Sequence, residues 1–397
     1  MQEPLKVITI EELEPGMFVH EILEQDGKLL VKNKGRVTKS AVVTTLKKRG
    51  VKKLVIDTSK QFIPEEAEQP AEAKPQEVVE DKPKVSFDDE IARAERIHKK
   101  GKNIQNKLLD AVKSGLPFDD KIPREFSKNM IESIDRNPDA LLCLTKIREK
   151  DDYLLEHSLN VAILLANFGR FIGMSEKEVE DLAHAGFLHD IGKIRIPDEI
   201  LHKPGRLTDM EMNIMRDHVY YGVRVLEEME IESHLVRTVS EHHERLDGYG
   251  YPNGSRGEEI SKAGRMLAIA DVYDALTADR CYKAGMSSQK ALQILLNDAP
   301  SKLDKELVQL FIKCMGIYPV GSLVKLNNER IAMVVTQNED KPLSPVVKIF
   351  YSLRGNHYIE PKDLDLSADT TVRIEKAVLA SDYKINFNGF FTESIAV

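Results

Sequence analysis

The sequence predicts a mainly α-helical protein, with a small α/β, β-rich module ahead of the helices and a short β-rich appendage behind them. From Asp151 to about Gly316, most segments repeat apolar residues at helical spacing. Short apolar runs typical of strands occur before the helices and again after Tyr318. The expected divisions are an N-terminal module (1–58), a linker (59–86), connecting helices (87–134), a helical domain (135–316) and a C-terminal extension (317–397).

Composition narrows the class of protein. With 397 residues, of which 42% are hydrophobic and 31% charged, the chain is expected to form two or three ordinary globular domains. A formal net charge of -8 argues against a nucleic-acid polymer as the main partner, because phosphate backbones attract basic surfaces. A small anionic nucleotide needs only a local basic pocket, so it remains a candidate ligand.

Targeting and membrane signals are not found in the sequence. The N-terminus has no basic stretch leading into an apolar run, and apolar runs such as 161–168 are too short to span a bilayer. Cys143, Cys281 and Cys314 are odd in number, widely spaced and without a CxxC pair. We therefore expect a cytoplasmic protein with no membrane insertion and no disulfide framework.

In the N-terminal module, LKVITI, MFVHEIL and VKKLVID are expected to be strands. LEPG at 13–16 is typical of a turn, and DGK at 26–28 of a hairpin connection. Residues 38–50 favour one helix, with Thr38 as its N-cap and Gly50 at its end. The prolines and charges of residues 59–85 then indicate an extended linker, since so few large apolar groups cannot bury a core.

Past the linker, residues 91–112 and the segment FSKNMIESIDRN are expected to be helices. Ser175 and Glu178 form a capping box ahead of VEDLAHAGFLHD, which marks the start of another. GSLVKL, RIAMVV and VVKIFY near the C-terminus read as short strands. These strands are expected either to cap the helical bundle or to form a small barrel-like appendage.

The histidines are the most informative residues. A single helical histidine is usually structural, but several of the 11 in this chain fall in one ordered series with two aspartates. The series is His157, His189, Asp190, His218, His242, His243 and Asp271. Imidazoles and carboxylates are the ligands of Zn, Mn or Fe centres. Seven are too many for one tetrahedral ion and suit two ions that share a carboxylate, an arrangement that activates water and clamps a phosphoryl group.

The residues around these ligands support phosphate chemistry. His189 and Asp190 close an apolar helix, where Gly192 lets the backbone turn and a phosphate approach, and Lys193 supplies a cation beside the metals. If His242 and His243 lie on a helix, they point about 100° apart and could serve two metals, or one metal and a supporting role. The loop DGYGYP that follows offers flat faces suited to stacking on a base.

These motifs resemble the HD-GYP domain, a bacterial branch of the HD superfamily. The resemblance rests on HSLNVA, HDIGK, a lone His218 before Gly222, HHERLDGYGYP and ADVYDALTADRCYK, and it covers roughly residues 135–316. It implies a helical bundle that hydrolyses the second messenger cyclic di-GMP through linear pGpG, and in some members on to GMP. The N-terminal module, with LEPGMFV, is similar to a small uncharacterised domain often found ahead of HD-GYP.

The resemblance also implies roles for single residues. All seven residues of the series match metal ligands of the family, with Asp190 as the bridging carboxylate. The ions would be two divalent metals, Fe or Mn. A hydroxide held between them would attack the phosphodiester. Lys193 matches the HDxxK lysine and would stabilise the developing charge. Tyr251, Arg280 and Lys283 match positions that contact the dinucleotide. Arg280 and Lys283 would hold the phosphate that is not cleaved, and Asp151 lies near the entrance. Some members of the family bind a third metal through a glutamate at the position that is Tyr153 in this chain. Tyrosine supplies no carboxylate, so a binuclear site and a slower step from pGpG to GMP are expected.

Two other functions stay open at this point. A cyclic di-GMP sensor with little turnover would use the flanking modules to relay a signal, although the intact ligand series disfavours it. Another cyclic dinucleotide or nucleotide could be the substrate, although the GYP loop disfavours that. The flanking modules could dock a diguanylate cyclase or another signalling protein, or form a homodimer.

Overall fold

The computed structural model describes residues 5–14, 17–26, 35–37, 40–58, 84–116, 118–147, 153–278, 285–338, 340–369 and 371–394. The chain divides into two compact units, Met1–Asp81 and Lys82–Val397. The expected turn residues Pro15 and Gly16, the N-cap Thr38 and most of the expected linker lie outside the described residues.

The N-terminal unit is a small antiparallel sheet with one helix. Its elements are β1 (Leu5–Thr9), β2 (Phe18–Gln25), β3 (Gly35–Arg36), α1 (Ser40–Lys48) and β4 (Val51–Asp57). The strand order is β1-β4-β2-β3, so the returning strand β4 lies in the middle of the sheet. Alternating residues such as Ile8, Leu54 and Ile56 are buried in one core. The three strands and the helix expected from the sequence are confirmed, and the two-residue β3 was not expected.

The second unit begins with a helical bundle. Its helices are α2 (Phe87–Ser114), α3 (Lys121–Arg136), α4 (Pro138–Leu144), α5 (Tyr153–Phe171), α6 (Glu176–Leu188), α7 (Asp198–Leu201), α8 (Asp209–Glu228), α9 (Ser233–Ser240), α10 (Lys262–Thr277), α11 (Ser288–Asp298) and α12 (Lys305–Met315). The mainly helical fold class is therefore confirmed.

The ends of the helices follow from local chemistry. The Ser175 hydroxyl accepts from the backbone N–H of Glu178, and the Glu178 side chain accepts from the Ser175 N–H, which confirms the capping box at the start of α6. The Ser86 hydroxyl caps α2 by accepting from the backbone N–H of Asp89, and Gly115 ends that helix in the left-handed region. Each cap satisfies backbone groups that the first or last turn would leave unpaired.

The centre of the bundle is α5. Nearly every residue from His157 to Phe168 is buried, and the helix packs against α6 and α10. A helix buried on all sides needs apolar residues around its whole circumference, which VAILLANF supplies. The polar side chains of α5, α6 and α10 that face one another are consequently buried.

The C-terminal strands form one antiparallel sheet that packs on the bundle. The elements are β5 (Leu323–Leu326), β6 (Arg330–Thr336), β7 (Val346–Ser352), β8 (His357–Asp365) and β9 (Ile374–Val378), followed by α13 (Phe387–Ser394). The sheet order is β8-β7-β6-β5-β9. Along β6, Ile331 and Met333 join the core of the bundle, whereas Ala332 and Val334 join a second small core on the other face. Of the two expected arrangements, the sheet takes the one that covers the bundle.

Among the helices that the structure describes, none is both long enough and apolar enough to cross a membrane.

Candidate metal centre

Five elements of the bundle bring the seven histidines and aspartates of the series together. His157 lies on α5, His189 caps the end of α6 and Asp190 follows it, His218 lies on α8, His242 and His243 follow α9, and Asp271 lies on α10. His243 retains a quarter of its side-chain exposure, while the other six are buried. Residues up to 114 positions apart thus meet at one point in the fold.

Asp190 lies between two sets of imidazoles. Its Oδ2 is 3.3 Å from Nε2 of His189 and 3.5 Å from Nε2 of His157. Its Oδ1 is 3.5 Å from Nε2 of His218 and 3.9 Å from Nε2 of His242. Each carboxylate oxygen therefore faces a different pair of rings, which is the arrangement that a bridging ligand requires.

The ring orientations leave the Nε2 atoms directed into the site. Nδ1 donates to a carbonyl oxygen one turn earlier in His189 (Gly186, 2.8 Å), His218 (Met215, 2.6 Å) and His242 (Val239, 2.5 Å). Because a carbonyl can only accept, Nδ1 carries the proton and Nε2 keeps its lone pair. A carbonyl three residues earlier in the chain thus selects the tautomer that can bind a cation.

His157 is oriented by a carboxylate instead. Its Nδ1 lies 2.8 Å from Oδ2 of Asp274, and its Nε2 lies 3.0 Å from Oδ1 of Asp271. Asp274 and Asp271 are three residues apart on α10, so both face the same side of that helix. Asp274 was not among the residues expected from the sequence, although its spacing from Asp271 within ADVYDALTADR could have indicated it.

Burial controls the electrostatics of the site. Loss of hydration lowers the pKa of His218 to about 4 and that of His243 to about 3, so these rings are neutral at physiological pH. For His157, burial would also lower the pKa, but the carboxylates of Asp271 and Asp274 raise it to about 9. Burial opposes ionisation of Asp190, yet the neighbouring imidazole of His189 and the ammonium of Lys193 hold the pKa of its carboxyl well below the usual range.

The donor set fits divalent metal ions. Three groups each place their ligand atoms within 4.8 Å of one another: His157, His189 and Asp271; His218, His242 and His243; and His189, Asp190 and His242. Nε2 of His189 and Oδ1 of Asp190 are buried with no hydrogen-bond partner among the residues that the structure describes. Unpartnered buried polar atoms are costly, and a bound cation would satisfy both.

The backbone around the cluster corrects one expectation and adds a packing role for Gly192. His242 and His243 are not helical, because α9 ends at Ser240 and both histidines lie in the turn that follows. Gly192 is needed for packing: a Cβ on it would overlap the carbonyl oxygen of His218 and the backbone of Gly222 on α8. The close approach of α8 to the turn at 191–195 is a long-range contact that local sequence does not reveal.

Lys193 and Tyr251 border the cluster. The Lys193 ammonium lies 2.5 Å from Oδ2 of Asp190. The Tyr251 ring lies against His243, with centroids 4.7 Å apart and planes tilted by 35°. The other expected substrate contacts, Asp151, Arg280 and Lys283, lie outside the described residues.

Glu244 shapes the loop that carries Tyr251. Its buried carboxylate accepts from the backbone N–H groups of Asn253 (2.7 Å), Gly254 (3.1 Å) and Ser255 (3.0 Å). Three charge-assisted hydrogen bonds to consecutive amides fix the backbone directly after Tyr251–Pro252. The sequence alone does not indicate this role of Glu244, since its partners are set by the path of the loop.

The fold and the site define a helical-bundle protein with a candidate binuclear metal centre, and comparisons with known proteins place it more narrowly. Three family models match: an HD domain at residues 141–307, a domain of unknown function (DUF3391) at 5–121, and a KOW domain associated with HD domain at 323–386. A Pseudomonas aeruginosa protein named a cyclic di-GMP phosphodiesterase is 35% identical over 385 residues, which cover 93% of this chain and 91% of that protein.

One further relative and one solved structure are similar to smaller shares of this chain. A Vibrio cholerae protein named 3'3'-cGAMP-specific phosphodiesterase 2 is 38% identical over 162 residues, or 40% of this chain and 30% of that protein. A solved structure of an HDG"Y"P protein from Bdellovibrio bacteriovorus is 14% identical, with a TM-score of 0.48 over 77% of this chain and 98% of that one. On the near full-length match to the Pseudomonas protein and the motifs above, the chain belongs to the HD-GYP branch of the HD-domain family.

Proposed function

We propose that this chain is a metal-dependent phosphodiesterase that hydrolyses cyclic di-GMP to pGpG, with residues 135–316 as its catalytic domain. The observation that carries the proposal is the placement of the Asp190 carboxylate between two sets of histidine Nε2 atoms. The near full-length Pseudomonas relative, named for this activity, supports the choice of substrate.

Two divalent ions, Fe or Mn, are proposed as cofactors. One would be held by His157, His189 and Asp271 and the other by His218, His242 and His243, with Asp190 between them. Bound ions of this kind activate water as a nucleophile and neutralise charge on phosphoryl oxygens. Because the pKa of His157 is raised to about 9, a metal binding there must displace a proton from Nε2.

The remaining roles belong to side chains of the protein. Asp274 holds His157 in the orientation that presents Nε2. The Lys193 ammonium, which lies on Asp190, is placed to transfer its hydrogen bonds to a nonbridging phosphoryl oxygen. Tyr251 is proposed to contact the dinucleotide, as are Arg280, Lys283 and Asp151. With tyrosine at position 153 we propose a binuclear centre and slow conversion of pGpG to GMP.

The test combines metal analysis with product analysis on protein purified without oxygen. Wild-type protein is expected to contain about two ions per chain and to release pGpG, whereas His189→Ala and Asp190→Ala should lose both metal and turnover with the helical circular dichroism retained. His202→Ala is the matched control, because that histidine is exposed at the end of α7 and belongs to none of the candidate metal groups. If Asp190→Ala still hydrolysed cyclic di-GMP, the role of Asp190 as a metal ligand in catalysis would be contradicted.

A second candidate substrate is 3'3'-cGAMP, favoured by the Vibrio relative that is named for it. Both nucleotides contain two phosphodiesters and at least one guanine, so the metal cluster alone does not separate them. The ratio of kcat/KM for the two nucleotides decides between them. Calorimetric binding of cyclic di-GMP without any product would instead favour a sensor.

A further inference from the structure

Arg216 lies at the edge of the candidate metal centre. It precedes His218 by two residues on α8, and its guanidinium carbon lies over the Tyr251 ring, 5.3 Å from the ring centroid. Tyr251 in turn lies against His243. One aromatic ring therefore separates this cation from the histidine cluster.

Within the described part of the chain, no residue neutralises the charge of Arg216. The side chain is exposed, and within the described part of the chain no carboxylate lies at ion-pairing distance from it. Lys193 differs, since its ammonium is bound to Asp190. On a chain with a net charge of -8, a cation that no described residue pairs and that lies beside the metal-binding cluster is a local feature suited to an anionic ligand.

The guanidinium is also held in place without losing its donors. The α8 backbone is packed against the turn at 191–195, which fixes the root of the side chain. Among the described residues, no hydrogen bond or ion pair engages its N–H groups, so they stay available to a ligand. Arginine donates two parallel hydrogen bonds to phosphate, a geometry that lysine cannot copy.

We propose that Arg216 binds substrate directly, by donating N–H groups to the phosphate of the cyclic dinucleotide that is not being cleaved. This inference rests on the proposed function, in which the reacting phosphate lies at the two-metal cluster and Lys193. The second phosphate carries its own negative charge and must be desolvated when the nucleotide enters. Arg216, one ring away from the cluster, is placed to compensate that charge.

The experiment measures steady-state kinetics of Arg216→Gln and Arg216→Lys with cyclic di-GMP at low and high salt, together with metal content. Arg216→Gln is expected to raise KM about tenfold or more, to leave kcat and metal content close to wild type, and to weaken the dependence of KM on salt. Arg216→Lys should recover part of the loss, since it keeps the charge but not the fork. Arg224→Gln is the matched control: it removes the same charge about two turns further along α8, where the side chain is also exposed.

The outcomes separate this inference from the proposed function. An equal rise in KM for 3'3'-cGAMP supports a phosphate contact, whereas a rise confined to one nucleotide would mean that Arg216 reads a base and would overturn it. Unchanged KM and salt dependence in Arg216→Gln, or a loss of kcat alone, would also overturn it. If wild-type protein hydrolyses neither nucleotide, the proposed function fails, and the affinity of wild type and Arg216→Gln for cyclic di-GMP by calorimetry still decides the role of Arg216.

Discussion

Nδ1 of His157 and Oδ2 of Asp274 lie 2.8 Å apart, and both side chains are only 1% exposed. A buried carboxylate that accepts from the distal nitrogen of a ligand fixes the ring and raises its basicity. Asp274→Asn keeps the volume but removes the charge, so metal affinity is expected to fall about tenfold to a hundredfold. Competition with a chelating dye measures this without any substrate. Asp209→Asn, on the exposed first turn of α8, should leave affinity unchanged, and an equal loss in both variants would argue against a specific role for Asp274.

Gly192 and Gly222 provide a matched pair of substitutions. Gly192→Ala should destabilise the protein by several kcal/mol or prevent folding, because its Cβ would overlap the backbone of α8. A Cβ on Gly222 meets nothing closer than 3.5 Å, so Gly222→Ala is expected to be neutral, or to stabilise α8 by up to about 1 kcal/mol. Thermal or urea unfolding of the two variants measures the difference. Equal stability would show that α8 does not approach the turn at 191–195 as closely as the structure describes.

Glu244 should control the order of the loop that carries Tyr251. Glu244→Ala leaves three backbone N–H groups without their carboxylate, at a cost of about 1–3 kcal/mol, and is expected to raise KM more than it lowers kcat. Hydrogen exchange at residues 253–255 should become faster. Glu227→Ala, on the exposed surface of α8, serves as the control. Unchanged exchange at these amides would contradict the role given to Glu244.

Asp139 is expected to make stability depend on pH. Burial at the junction of α4 and the C-terminal sheet raises the pKa of its carboxyl to about 7, partly opposed by a hydrogen bond with Thr336. The folded state then holds a proton that the unfolded state has released above about pH 4. The free energy of unfolding should therefore fall, by a few kcal/mol, as pH rises from about 4 to 7, and then level off.

Asp139→Asn isolates that contribution. The variant should be more stable than wild type at pH 8, with a difference that shrinks toward pH 4, because the amide mimics the protonated acid. Urea unfolding of both proteins across this range is the measurement. Parallel stability curves for wild type and variant would assign the pH dependence to other groups.

Much of the architecture could be predicted from the sequence because it depends on local chemistry. The capping box at Ser175 is read from two side chains three positions apart, and the helical period of VAILLANF continues around the whole circumference of α5. The strands of the N-terminal unit followed from short apolar runs between turn residues. Where local signals were weak, the expectations failed: the apolar stretch before His242 does not carry its helix through the two histidines.

For the candidate site, too, some features follow from the sequence and others only from the tertiary structure. The sequence alone determined which side chains can act as metal ligands, because the ability to bind a metal depends on the type of residue. The ordered series of histidines and aspartates supplies those types. Tertiary structure alone decided that Asp190 faces two sets of imidazoles, that Asp274 orients His157, and that Arg216 lies over Tyr251. Those relationships join residues up to 117 positions apart, and their distances are set by how α5, α8 and α10 pack, which no short segment encodes.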